Sequence, residues 1–62
     1  MKTATMKVYK TRFLSFVDIT YKNKVLESFH GSFELSTMNQ AREWAVLNGF
    51  TKVKYLYVVG AN

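Results

Sequence analysis

The sequence has no cysteine and no proline, three glycines, one histidine, and four acidic residues against nine basic ones. Each shortage excludes something. Without cysteine there is no disulfide framework and no thiolate for structural zinc. A 62-residue chain, which buries only about 60% of the surface its unfolded form exposes, must therefore hold itself by packing or with a partner. A lone histidine, His30, cannot supply the three or four ligands of a zinc site. The glycines are isolated and none opens a helix, so no phosphate-cradling loop is read. No apolar run of about 18 residues exists, which excludes a transmembrane helix. The first residues, Met1 to Lys7, carry charge with no hydrophobic segment behind them and do not read as a secretory signal. Together these absences predict a reducing, cytoplasmic setting, no cofactor and no bound metal.

What is present argues for a packed unit. The hydrophobic fraction is 48% and the aromatic fraction 16%, which predicts a single folded domain over 1–62, with 1–5 and 60–62 frayed. The formal charge of +5 favours an acidic partner.

Tyr9 to Tyr21 alternates: Tyr9, Thr11, Phe13, Ser15, Val17, Ile19 and Tyr21 form one face, and Lys10, Arg12, Leu14, Phe16, Asp18 and Thr20 the other. A strand of that length exceeds the usual 5–6 residues or so, which predicts a bulge or break near Lys10–Arg12 and a short extra strand from Met6 to Lys10. A three-residue loop, Lys22 to Lys24, sets Tyr21 opposite Val25, Val17 opposite Phe29 and Phe13 opposite Phe33. The second strand runs from Val25 to about Glu34, with Gly31 read as a bulge or as room made for a neighbour.

Ser36-Thr37-Met38-Asn39-Gln40 opens a helix, with Thr37 and Gln40 spaced as a capping box. Met38, Ala41, Ala45 and, at the flank, Trp44 share its inner face, and Asn48-Gly49 stops it with Phe50 folding back. Thr51 to Val59 is the last strand, with Val53, Tyr55, Tyr57 and Val59 on one face and Lys52, Lys54, Leu56 and Val58 on the other.

The predicted fold is α+β: a three- to four-stranded antiparallel or mixed sheet, strand-strand-helix-strand, in the spatial order 2-1-3, with one helix on one face. Phe13, Val17, Phe29, Phe33, Val53, Tyr55 and Tyr57 are expected beneath the helix. The opposite face has no second layer, yet the pattern sends Leu14, Phe16, Leu26, His30, Leu56 and Val58 there, ringed by Lys10, Arg12, Lys52 and Lys54. A contiguous apolar patch of this kind marks a contact surface. The expected partner-binding set is Lys10, Arg12, Leu14, Phe16, His30, Lys52, Lys54 and Leu56. No nucleophile, base and orienter come together, so no enzyme is read.

The hairpin, the segment Ser36 to Ala45 and the closing strand Thr51 to Val59 together resemble short phage-encoded proteins that bind and inhibit host enzymes. The resemblance implies host-directed inhibition in the host cytoplasm, with no residue-level site to carry over. It departs in charge, since this chain is basic where contact is expected. The leading expectation is thus a non-catalytic module docking its open face, or an edge strand, on an acidic protein. The alternative is nucleic-acid binding by the same lysines and aromatics. A homodimer through the open face is a third arrangement, and membrane binding ranks last because the helix has no basic stripe.

Overall fold

A computed structural model describes residues 2–57 of the chain. Five elements follow in order: β1 (Thr3–Lys10), β2 (Ser15–Tyr21), β3 (Lys24–Gly31), α1 (Glu34–Leu47) and β4 (Lys52–Tyr57). They build an α+β fold, a four-stranded mixed sheet ordered β3-β2-β1-β4 with α1 across one face. The three strands expected from the sequence keep their second-first-last order, and β1 is interposed between β2 and β4. β4 pairs with β1 in parallel, while the β1–β2 and β2–β3 pairs are antiparallel. The strands joined through α1, β3 and β4, therefore point the same way, as a crossover requires.

β1 corrects one expectation. Residues 3–5 are not frayed but strand, because Ala4, Met6 and Val8 alternate into the core and each is at most 1% exposed. The Lys2 carbonyl accepts the backbone N–H groups of Thr51 and Lys52 at 3.0 and 3.3 Å, tying this end to the start of β4. The expected strand residues Val58 and Val59 and the expected frayed segment 60–62 lie outside the described residues.

The core joins Ala4, Met6 and Val8 to Val17 and Ile19 of β2, to Ala41 and Ala45 of α1, and to Phe50. Two alanines at a four-residue spacing let the helix axis settle close to the sheet, and Met38 and Trp44 fill its margins.

The β2–β3 connection is a two-residue turn, not the expected three-residue loop. Tyr21 pairs with Lys24, and Lys22 and Asn23 both take positive φ (51° and 65°), the signature of a type I′ turn. Thr20 then faces Val25 but Ile19 faces Glu27, so Leu26 is an extra residue in β3. This bulge restores the expected Val17–Phe29 pair beyond it. The expected Tyr21–Val25 and Phe13–Phe33 pairs do not form. β2 begins only at Ser15 and β3 ends at Gly31, which leaves Phe13 and Phe33 78% and 77% exposed instead of in the core.

α1 begins two residues before Ser36, after Phe33, with no side-chain cap. Thr37, expected as the cap, lies inside the first turn, buried, and its hydroxyl donates to the Phe33 carbonyl at 2.8 Å. The C-terminal stop is as read: Gly49 sits at φ 87°, the Phe50 N–H reaches the Ala45 carbonyl and the Gly49 N–H the Val46 carbonyl. These two bonds make a Schellman motif.

Candidate functional site on the uncovered sheet face

Strand geometry sorts the side chains. In β1 the even residues are buried under α1 and in β2 the odd ones are, because Met6 faces Ile19 and Val8 faces Val17. The parity changes at the reversal Thr11–Leu14. There the Thr11 N–H donates to the Leu14 carbonyl at 2.8 Å, and the Leu14 N–H returns to the Thr11 hydroxyl at 3.2 Å.

The uncovered face therefore carries Thr3, Thr5, Lys7 and Tyr9 from β1, and Phe16, Asp18 and Thr20 from β2. Ser28 and His30 come from β3, and Lys52, Lys54 and Leu56 from β4. Of the expected contact set, Phe16, His30, Lys52, Lys54 and Leu56 stand here. The other three are corrected. Lys10 is an even β1 residue and turns to the helix side, where its Nζ lies 3.2 Å from Glu34 Oε1. Arg12 is exposed in the reversal and Leu14 is half-buried there, so neither belongs to the strand face. Val58 lies outside the described residues.

Tyr9 and Lys7 take their place. The Tyr9 and Phe16 rings stack at 5.4 Å between centroids, 13° from parallel, and His30 follows at 6.1 Å from Phe16. Three rings thus form a ridge across β1, β2 and β3, with Phe16 held between the other two. The Tyr9 hydroxyl donates to Asp18 Oδ2 at 3.0 Å, fixing one end of the ridge. The partial burial of the Tyr9 phenol raises its pKa above the ordinary value, and the hydrogen bond to Asp18 and that carboxylate's charge push the same way.

Lys7 stands opposite Asp18 on one side and Leu56 on the other, with Lys54 and Lys52 following along β4. Two more lysines stand at the end of the sheet where β1 starts, over rings that pack on the helix side. Lys2 Nζ lies 5.0 Å from the Phe50 ring centroid and Lys22 Nζ 5.4 Å from that of Tyr21.

The surface is an open one. A groove of about 280 Å³ lies on the other side of the sheet, lined by Phe29, Trp44 and Leu47 among others. Among the described residues, no three His, Cys, Asp or Glu side chains gather where they could hold a metal ion. No described helix is long and apolar enough to cross a membrane. Chemically, the face offers ammonium groups, hydroxyls and an aromatic ridge: groups for contact.

Reading 9–21 as one alternating strand puts Tyr9 on the wrong face and gives Lys7, outside that stretch, no face. A signal for the break was present, since Ala4, Met6 and Val8 begin an alternation of their own that is out of phase with Ser15, Val17 and Ile19. Compared with protein-family models, with curated proteins and with solved structures, the chain matches none.

Proposed function

We propose that the protein is a non-catalytic binding module that lays the uncovered face of its sheet on an acidic surface of a larger protein. One observation carries this reading. The side of the sheet away from α1 holds an aromatic ridge, Tyr9–Phe16–His30, at one end, with Lys7 next to Tyr9 along β1 and Lys54 and Lys52 following toward the other end. Aromatic anchors that give way to charged groups toward the margin are the usual anatomy of a protein contact. The resemblance of the hairpin, the segment Ser36 to Ala45 and the closing strand extends the reading to an inhibitor of the phage type, acting on a host enzyme in the cytoplasm.

The same ridge weighs against the nucleic-acid alternative. Bases stack on free ring faces, but Phe16 has a ring on each side, and the Asp18 carboxylate sits among the groups that would meet phosphate. A dimer through this face would bring Lys7, Lys52 and Lys54 of two copies together without enough acid to offset them.

The test is affinity capture from the native host, comparing the wild-type chain with the Phe16→Ala/Lys54→Glu double variant. The reading expects one acidic protein to be retained by the wild type and lost by the variant, with the circular dichroism spectra matching. Equal retention by both overturns it. So does tight, steeply salt-dependent binding of a single-stranded oligonucleotide, which establishes the alternative.

A further inference from the structure

Among the described residues, β4 is an edge strand whose side chains are largely exposed on both faces, Val53 excepted, which packs on the core. Of the described strands it pairs with β1 alone, in unbroken register from Thr3–Lys52 to Val8–Tyr57. α1 packs mainly on β2 and β3 and leaves β4 at the margin of the two-layer unit. On the helix side of β4, Tyr55 and Tyr57 are therefore 44% and 56% exposed, and on the other side Lys52, Lys54 and Leu56 are exposed too. The opposite edge differs. β3 carries the Leu26 bulge, which interrupts the regular spacing an added strand would need.

We infer that the outer edge of β4 receives an extended, acidic segment of the partner protein as a fifth strand. Backbone pairing supplies affinity in this mode, and side chains on alternate positions supply selection. Six residues, Lys52–Tyr57, are the length of an ordinary strand and enough to template one. Selection comes from charge. β4 holds Lys52 and Lys54 and no acid, so a neutral strand gains backbone pairing alone and a basic one is repelled, while carboxylates at alternate positions meet both ammonium groups. The same lysines disfavour a second copy, because two β4 edges laid together concentrate four ammonium groups in one strip. This inference rests on the acidic-protein reading above and names the part of the partner that is held.

Four synthetic hexapeptides test it: an alternating glutamate–valine strand, its lysine–valine counterpart, and two forms of the glutamate–valine strand with alternate amides N-methylated, one in each phase. The full chain is used, with amide hydrogen exchange read residue by residue. The expected result is binding of the acidic peptide with slowed exchange at alternate residues of β4. Binding should be lost in one N-methylated phase and weakened about tenfold or more in Lys52→Glu/Lys54→Glu, which should then prefer the lysine peptide.

Equal binding by both N-methylated forms reduces the effect to unspecific charge attraction and overturns the inference, as does protection at β3 or no binding at millimolar peptide. Loss of binding in Phe16→Ala with β4 exchange unchanged by the peptide also overturns it. In that case the face-docking reading stands and the edge-pairing one does not.

Discussion

A Cβ added to Gly31 would stand 2.9 Å from the Thr37 hydroxyl oxygen, closer than side-chain carbons tolerate. That oxygen cannot easily yield. It donates to the Phe33 carbonyl at 2.8 Å, the side chain is β-branched and the residue is buried. The contact sets how tightly the first turn of α1 presses on the end of β3. Gly31→Ala should destabilise the fold by about 1–3 kcal/mol in chemical denaturation. Thr37→Ala in the same chain should recover part of that loss, giving a coupling energy whose absence would refute the close approach.

The turn at Lys22–Asn23 should respond in the other direction. Both residues hold positive φ, which costs lysine more than asparagine or glycine. Replacing the pair with Asn-Gly should stabilise the hairpin by about 0.5–1 kcal/mol, measured as a raised denaturation midpoint with unchanged slope. A lower midpoint would mean the turn is held by something other than its backbone geometry.

Tyr9 links stability to pH in the alkaline range. Its folded pKa lies above the unfolded value of about 10, so the folded chain keeps a proton that the unfolded chain gives up. The stability linked to this proton is complete below that unfolded pKa and falls as pH rises through the folded one. Denaturation midpoints should decline above about pH 10, and Tyr9→Phe should make that decline shallower. An identical pH profile in the variant would remove the Tyr9–Asp18 bond from the account.

Phe13 and Phe29 should part company under substitution. Phe13, 78% exposed in the β1–β2 reversal, should tolerate serine within about 0.5 kcal/mol, whereas Phe29→Ala, under α1, should cost about 2–4 kcal/mol. Thermal melts of the two variants decide this directly.

These residues also indicate how far the sequence could be read. The Val17–Phe29 pair, the Ala41/Ala45 stripe and the Asn48-Gly49-Phe50 stop were legible because each depends on local chemistry or on strict alternation. Phe13 and Phe33 were misread because alternation continues through a reversal without marking it. Alanine has little strand preference, so Ala4 masked the first residues of β1, of which only Met6 to Lys10 read as a short extra strand. The site followed the same logic. Phe16, Lys52, Lys54 and Leu56 lie within unbroken strands and kept their predicted face, and His30 kept its own because the Leu26 bulge offsets the shorter turn. Lys10, Arg12 and Leu14 lie at or beyond the break and did not.

The parallel pairing of β1 with β4 joins the two elements farthest apart along the chain, as in the Thr5–Lys54 register. Closing so large a loop is entropically expensive, whereas the two antiparallel pairs close over short connections. The three-stranded meander should accordingly assemble early and the final strand should dock late. Val17→Ala is then expected to slow refolding, while Val53→Ala leaves the refolding rate nearly unchanged and hastens unfolding, a division that stopped-flow measurements on the two variants would resolve.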